Sequence, residues 1–289
     1  MVRRLAGVPL VLPFESVSSW LGRLALSQGV SLSELSSYLE IDTRNCDVDL
    51  RLRRRKVREL LAICGQDKRS FDLPLAIFSA LRSLVRDGGR FLNVERGRAR
   101  YRFCPCCLSA QPTPYFPLHW RFVAWRWCPV HDCLLENACP HCSAPLIGPA
   151  DQLNAGRDRK GVGLMSYCMS CARKLSAVEP CHIGTGPQSA LTEWERVLLR
   201  NGRAVLAALY TREVQVTCQG DRTGVRRLKK LDRLGLLPHG LDWLTPAHLR
   251  ERQDSLRRSD AHATAQVCGE AVDRTNRRQL VECSHLEDR

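Results

Sequence analysis

The chain has 289 residues, and its 44 lysines and arginines outnumber its 30 aspartates and glutamates to give a formal net charge of +14. A chain of this length is expected to form more than one hydrophobic core, and so basic a balance indicates a polyanionic partner. Pro9 and Pro13 break the N-terminal apolar run well short of a secretory segment, and no later run reaches membrane-spanning length. The sequence therefore predicts a multidomain soluble protein of the cytoplasm that does not enter a membrane.

The first forty residues predict two helices separated by a glycine. Apolar residues recur at helical spacing from Val17 to Ala25, and Gly29 is a stop signal. Ser31 and Glu34 form a capping box that opens a second, short helix. A helix, a glycine-containing turn and a short helix outline a helix-turn-helix, although any two-helix hairpin gives the same pattern.

Two further helices are predicted before residue 90. The third runs from about Arg53 to Cys64, and the fourth from about Pro74 to Arg86 with Asp72 as its cap. The third contains the basic run RLRRRKVR, whose arginines turn away from the apolar face. Such a run is either a solvated helix surface or a phosphate-contacting one, and the pattern leaves both readings open. The candidate contacts to nucleic acid or a partner here are Arg53, Arg54, Arg55 and Arg58.

The middle of the chain holds four pairs of cysteine or histidine residues at one spacing. The total of 15 cysteines is odd, and in a reducing compartment it favours metal ligation over disulfides. A turn with two residues between its ligands lets both reach one tetrahedral ion, and two such turns complete the shell. Four pairs therefore predict two zinc ions per chain. The pairs are Cys104 and Cys107, Cys128 and His131, Cys139 and Cys142, and Cys168 and Cys171.

The pairs can be shared between the two ions in two ways. In the sequential arrangement the first two pairs bind zinc 1 and the last two bind zinc 2, whereas a cross-braced RING-like arrangement interleaves them. Seven residues separate His131 from Cys139, which is more than the two or three typical of a RING, so the sequence favours the sequential arrangement without excluding the other. Each site has four protein ligands, and Cys133 stands where a zinc deaminase would need its glutamate. Both zincs are therefore predicted to be structural.

Aromatic residues and spare thiols accompany these ligands. Trp120, Trp125 and Trp127 are either the apolar packing of a small zinc domain or an exposed platform for bases or a partner protein. Cys106 and Cys133 fall outside the ligand spacing, so neither is expected to bind zinc.

The last third of the chain again predicts helices. Residues 149–163 form a predicted loop between the two halves of the second zinc site. Thr192 and Glu195 form another capping box, and Thr245 and Pro246 begin a further helix. After residue 258 the chain loses its periodicity and is expected to be a mobile tail. A basic helix between these supplies the remaining candidate contacts, Arg226, Arg227, Lys229 and Lys230.

These elements predict a mainly α protein with small zinc-ribbon or zinc-knuckle modules. The expected divisions are an N-terminal helix-turn-helix-like domain (1–100), a central double zinc-finger domain (101–185), a C-terminal helical domain (186–258) and the tail (259–289). The chain lacks the phosphate loop of an ATPase, the HExxH of a zinc protease and a GxSxG nucleophile elbow. The sequence therefore predicts no enzyme.

The ordered combination of these motifs resembles the TniQ/TnsD family of bacterial transposition accessory proteins. It consists of PFESVSSWLGRLA (13–25), CPCCL (104–108), an aromatic stretch, CPVH (128–131) and CPHC (139–142). The resemblance covers roughly residues 12–172. It implies a target-selection factor that recognises an attachment site, or docks onto an RNA-guided CRISPR effector complex, and recruits an AAA+ regulator. The last third matches no family motif, which leaves open whether the chain resembles a DNA-reading TnsD or a shorter, effector-docking TniQ.

The leading hypothesis is therefore a zinc-containing adapter between a target complex and the transposition machinery. Its expected partners are the AAA+ regulator, DNA and, in the RNA-guided case, the effector with its guide RNA, and a homodimer is compatible with the sequence. The alternative is a free-standing helix-turn-helix or zinc-finger transcriptional regulator, which would bind DNA tightly without an ATPase.

Overall fold

The computed structural model describes residues 5–44, 46–84, 91–153, 165–184, 189–200, 202–215, 222–224, 226–233 and 244–258. Helices predominate in these residues, as the predicted fold class requires. In chain order they are α1 (Val17–Gln28), α2 (Leu32–Tyr38), α3 (Val48–Arg51), α4 (Arg54–Ile63), α5 (Asp72–Leu84), α6 (Pro105–Ala110), α7 (Glu193–Arg200), α8 (Gly202–Thr211), α9 (Arg226–Arg233) and α10 (246–258). None of these described helices combines the length and the apolar character needed to cross a membrane.

Short strands connect the helices. They are β1 (Val94–Glu95), β2 (Arg98–Tyr101), β3 (Trp127–Cys128), β4 (Cys133–Leu134), β5 (Leu146–Gly148), β6 (Glu213–Gln215) and β7 (Arg222–Gly224). An antiparallel sheet has the order β1-β2-β5, while β3–β4 and β6–β7 are two-stranded. The sequence patterns predict none of these strands, since two to four residues are too few to show an alternating pattern.

The two N-terminal helices begin and end where the sequence predicted. The Ser19 backbone N–H donates to the Ser16 side chain at the start of α1, and Gly29 ends the helix at φ 63°. Left-handed backbone of this kind favours glycine. The capping box of Ser31 and Glu34 at the start of α2 is confirmed. These helices and their turn are thus present, and their interpretation as a helix-turn-helix stays a prediction.

The third and fourth predicted helices are α4 and α5. Arg53 and Cys64 are the cap residues of α4 instead of its ends, and the helix buries its apolar face. Asp72 is the first residue of α5, and the predicted continuation to Arg86 lies outside the described residues. Caps and helix ends can differ by a residue or two between sequence and structure because the last turn frays.

Among the described residues, buried side chains form three hydrophobic clusters. The N-terminal cluster joins α1–α4 to the beginning of α5, and the C-terminal cluster joins α7 and α10 to residues 181–183. The central cluster combines the rest of α5, the three-stranded sheet, the cysteine-rich segment, α8 and α9. This cluster includes residues from both sides of the predicted limits at 100 and 185. The division into domains at those positions stays a prediction.

A buried ionic network links the N-terminal helices to the cysteine-rich segment. Arg121 is fully buried in the 3₁₀ helix Leu118–Arg121, and its guanidinium pairs with Asp47 and, at 2.7 Å, with Asp49. Asp49 also accepts a hydrogen bond of 2.6 Å from the Ser18 hydroxyl of α1. The Tyr101 hydroxyl contacts Ser18 from the other side. Because every charged group in this network has a partner, it can be buried without the cost of an isolated ion.

The C-terminal helices pack against the cysteine-rich segment at close range. A Cβ at Gly202, the first residue of α8, would lie 2.6 Å from the backbone oxygen of Ala124, so no larger residue fits there without movement. The predicted capping box is confirmed, since the Glu195 N–H donates to the Thr192 hydroxyl at 3.2 Å. Thr245 caps α10 by accepting from the His248 N–H at 3.2 Å. The predicted tail, and residues 154–163 of the predicted loop, lie outside the described residues.

Candidate metal centres

The first group of ligands comes from a helix N-terminus and a hairpin. Cys104 is the N-cap of α6, and its sulfur accepts a hydrogen bond of 3.4 Å from the Cys107 N–H. Pro105 occupies the first helical position, where its missing N–H has no cost. Cys128 ends strand β3 and His131 lies in the turn before β4. The C-P-x-C and C-P-x-H motifs thus direct their ligands to one point from two sides.

The distances within this first group match a tetrahedral metal shell. The Cys107 sulfur lies 3.6 Å from the Cys128 sulfur and 3.3 Å from Nδ1 of His131. The sulfurs of Cys104 and Cys128 each lie 3.6 Å from the same nitrogen. Zinc–sulfur bonds of about 2.3 Å in a tetrahedron place two sulfurs about 3.8 Å apart, and the shorter zinc–nitrogen bond brings that pair closer. The four side chains therefore have the spacing that a single ion requires.

The second group is built from two knuckles of similar geometry. The Cys139 sulfur lies 3.7 Å from that of Cys171, and the same distance separates Cys142 from Cys168. In each knuckle the residue after the second cysteine has a left-handed backbone, with φ 59° at Ser143 and φ 52° at Ala172. This conformation reverses the chain directly after the ligands. Backbone N–H groups two residues after Cys139 and Cys168 donate to their sulfurs at 3.4 Å.

The structure brings all eight predicted ligands together in the sequential arrangement. Within each group the four ligand atoms lie within 4.8 Å of one another, and the first two pairs share no group with the last two. A cross-braced arrangement would instead combine the first pair with the third and the second pair with the fourth. The donor sets, three thiols with an imidazole and four thiols, could each hold a metal ion and are compatible with zinc.

The thiols of the first group compete for negative charge. Hydrogen bonds from Cys104 and Cys107 lower the pKa of Cys128 well below that of a free thiol. Hydrogen bonds with Cys104 and Cys128 raise the pKa of Cys107. Hydrogen bonding with Cys107 also lowers the pKa of Cys104 to about 7, so the group favours thiolates at Cys128 and Cys104 at the expense of Cys107. A divalent cation would allow all of them to ionise together, and protons would be released on binding.

The spare cysteines differ from each other. Cys106 belongs to neither group. The buried Cys133 has its sulfur 3.6 Å from that of Cys104, although it is not one of the four mutually close ligand atoms. Its predicted role as a non-ligand stays a prediction, and its position beside the group was not foreseen.

Two of the three tryptophans near the first group pack in the interior, in agreement with the first of the two interpretations of the sequence, whereas Trp127 is half-buried against the C-terminal cluster. Trp120 and Trp125 are buried members of the central cluster. The ring of His119 lies 4.6 Å from that of Trp125, and burial lowers the pKa of His119 to about 4. His119 is therefore neutral at physiological pH. No sequence pattern singles out this residue, because an isolated histidine carries no spacing signal.

The basic residues of α4 are exposed and in part neutralised. The Arg55 side chain is 93% exposed and pairs with Glu59 at 3.0 Å. Arg54 and Arg58 both reach Asp72, at 2.8 and 3.6 Å. Exposed ion pairs of this kind are weak, so phosphates could displace them. Arg53 is exposed at the N-cap.

The second set of basic candidates lies on α9. Leu228 anchors this helix in the central cluster, whereas α4 belongs to the N-terminal cluster. Arg226 and Lys230 are exposed and Arg227 is half-buried. The side chain of Lys229 lies outside the described residues. The two basic sets are thus carried by different packing units.

The fold and its ligand groups define a helical protein with two closed candidate metal centres. The family model TniQ matches residues 7–135, which include α1–α6 and the whole of the first ligand group. The chain carries a TniQ domain, and the resemblance seen in its motifs is confirmed. TniQ proteins are transposition accessory proteins associated with target selection. No curated protein matches the chain.

Proposed function

We propose that this protein is a zinc-containing adapter in target-site selection for transposition. It links a target-recognition complex, either attachment-site DNA or an RNA-guided effector, to an AAA+ regulator. The observation that carries the proposal is the TniQ match over residues 7–135, which covers the N-terminal helices and the first ligand group together. The Arg121 network joins those same two parts.

Two zinc ions have a structural role in this proposal. Cys104, Cys107, Cys128 and His131 bind one, and Cys139, Cys142, Cys168 and Cys171 bind the other. Four protein ligands leave no open coordination position for substrate or water. Each ion instead contributes folding free energy, on the order of 10 kcal/mol for structural zinc. The sites thus support surfaces for partners and not a reaction.

DNA contact is the supporting role of the basic helices. The exposed arginines of α4, together with those of α9, give the chain positive surfaces that suit phosphates. Each phosphate neutralised adds about 0.9 to the slope of log affinity against log salt concentration. This role accounts for the charge of +14 without requiring the chain to read a sequence by itself.

The experiment is a pull-down with an AAA+ transposition regulator and a targeting complex, together with DNA titrations at two salt concentrations. We expect capture of at least one of the two proteins and weak DNA binding. Changing Arg55 and Arg58 to Gln should lower the salt slope by up to about 2. The matched control changes Arg257 and Arg258 of α10 to Gln, two exposed arginines outside the candidate contacts.

A free-standing DNA-binding transcriptional regulator is the second candidate function. The observation that favours it is the exposed basic face of α4. Tight, sequence-specific binding of DNA by the chain alone, with no affinity for either transposition partner, would replace the adapter by this regulator.

A further inference from the structure

An exposed apolar groove lies where three distant segments of the chain meet. Phe14 precedes α1, Val130 lies in the turn between β3 and β4, and Tyr210 is near the end of α8. These side chains are 57%, 76% and 54% exposed, which is unusual for large apolar residues gathered at one place. The volume is about 550 Å³, within the range of ligand and peptide sites. The groove is lined by Phe14, Ile77, Trp125, Val130, Leu206 and Tyr210, among others.

Apart from Cys107 and Cys128, which are ligands of the first centre, the described lining of the groove has no charged side chain. It contains no aspartate, glutamate, lysine or arginine, and His119 is neutral because of its burial. Nucleic acids are held mainly through cations that face their phosphates, and this lining supplies none. The groove therefore suits apolar side chains and not a nucleic-acid backbone.

Positive charge lies at one margin of the groove. Arg203 stands on α8 one turn before Leu206, and its charge adds to the effect of burial in lowering the pKa of His119. Arg200 stands beside Arg203, since the two guanidinium groups lie 5.7 and 6.0 Å from the centre of the Trp127 ring, which is not itself part of the lining. Within the described part of the chain neither arginine forms an ion pair. This margin is available to carboxylates of a partner.

The backbone that carries the exposed Phe14 ring is held in place by hydrogen bonds. Phe14 has φ 58°, a left-handed conformation that is costly for a bulky residue. The Leu118 N–H donates to the Phe14 oxygen at 2.8 Å, and the Tyr115 hydroxyl donates to the Pro13 oxygen at 3.1 Å. These bonds hold the loop against the 3₁₀ helix. The rim is thus arranged before any partner arrives, which reduces the entropic cost of binding.

We propose that this groove binds an acidic amphipathic helix of a partner protein. Apolar side chains at successive turns of that helix enter between α5, α8 and the β3–β4 turn, and its carboxylates face Arg200 and Arg203. This is the helix-in-groove mode of recognition. A second copy of this chain is a poor occupant, because both copies carry +14 and their like charges repel. The inference does not rest on the proposed transposition partners.

The probe is a phage-displayed library of 16-residue peptides with apolar residues fixed at helical spacing and all other positions random. Selection on the full metal-loaded chain should enrich aspartate and glutamate. A synthetic peptide from the enriched pool should bind with a dissociation constant in the micromolar range. Val130→Asp should weaken that binding at least tenfold, because it places a charge on the apolar rim. Leu256→Asp, at an exposed apolar residue of α10 outside the groove, is the matched control and should leave binding unchanged.

A second experiment exchanges the charges of the protein and the peptide, and tests whether the bound helix must be acidic. Changing Arg200 and Arg203 to Glu should weaken the acidic peptide at least tenfold, and replacing the peptide's acidic residues by Lys should restore binding to this variant. Circular dichroism and metal content confirm that each variant is folded. The proposal fails if no peptide is enriched, if binding ignores Val130→Asp, or if single-stranded DNA displaces the peptide. It also fails if sedimentation shows self-association of the free chain that Val130→Asp abolishes, since a second copy would then fill the groove.

Discussion

The two candidate metal centres share their ligand chemistry and differ in how they are attached to the fold. The first joins α6 to the β3–β4 hairpin, and reciprocal backbone bonds of 2.9 and 2.8 Å between Phe103 and Glu136 hold these parts together. The second consists of two knuckles closed by local bonds, such as that from the Ser143 N–H to the Cys139 oxygen. Cys142 is exposed, whereas every ligand of the first group is at least half-buried.

Both centres contact the central cluster, since Cys139 and Cys168 belong to it as Cys104 and Cys128 do. The exposed Cys142 and the local bonds indicate that the second centre is less deeply embedded than the first. The first also lies wholly inside the TniQ match, which ends before the second begins. Loss of an ion should therefore have unequal consequences at the two sites. The predictions below test that inequality, from the largest expected effect to the smallest.

Breaking the first centre should cause the largest loss. Cys128→Ser removes a buried ligand and leaves the remaining thiols without a cation. We expect loss of one ion per chain and a fall of more than about 10 °C in the melting temperature, since structural zinc contributes on the order of 10 kcal/mol. Metal analysis and calorimetry measure both. A variant that melts like the wild type would show that the first centre is no more deeply embedded than the second.

Removal of Arg121 tests whether the N-terminal helices depend on the first centre's segment. Arg121→Met leaves Asp47 and Asp49 buried without their cation, which should cost about 3–5 kcal/mol of unfolding free energy. Urea denaturation measures the change. Adding Asp47→Asn and Asp49→Asn should recover part of the loss, because no uncompensated charge then remains. If the triple variant were no more stable than the single one, packing and not charge would be responsible.

Breaking the second centre should cost less. Cys139→Ser should remove one ion, leave the first site filled and lower the melting temperature by less than Cys128→Ser does, because its knuckles are held by local bonds and can open without the rest of the fold. The metal content of the purified variant, in ions per chain, distinguishes one remaining ion from none. Loss of both ions together would contradict the independence of the two centres.

Local signals explain what the sequence could predict. The capping boxes at Ser31 and Thr192, the stop at Gly29 and the paired ligands each depend on residues within a few positions of one another. Such patterns fix helix ends and knuckles whatever the rest of the chain does. The sequential grouping of ligands was favoured by spacing alone, and the structure brings the side chains together in that way.

Long-range contacts explain what the sequence could not predict. Arg121 and Asp47 are 74 positions apart, and an arginine in an aromatic stretch gives no sign that it will be buried. The three-stranded sheet pairs β2 with β5 across more than forty residues. The apolar groove likewise forms only where three separate segments meet. Each of these features depends on the packing of the whole chain.

The spare thiols should have small and unequal effects. Cys106→Ser changes a half-buried residue outside both groups, and we expect full metal content and a stability change within about 0.5 kcal/mol. Cys133→Ser should also keep both ions but cost about 1 kcal/mol, because it puts a hydroxyl into an apolar interior. Loss of one ion in the Cys133 variant would make it a ligand of the first centre.

A comparably small effect concerns His119, whose pKa is lowered by burial to about 4 from an ordinary 6.5. The His119 imidazole therefore takes up a proton at a higher pH in the unfolded chain than in the folded chain. The stability that the buried neutral ring contributes is present above pH 6.5 and is lost progressively as the pH falls toward 4. Between pH 7 and pH 6 the unfolding free energy should fall by about 0.7 kcal/mol. The thiol ligands stay metal-bound in this pH range. His119→Gln should reduce the measured pH dependence by that amount, with His248→Gln on α10 as the control. In NMR spectra the His119 ring resonance should stay constant from pH 7 to pH 6. A titration midpoint near 6.5 would instead show that the ring is solvated. The surroundings of the first centre would then be less tightly packed than its contrast with the second centre implies.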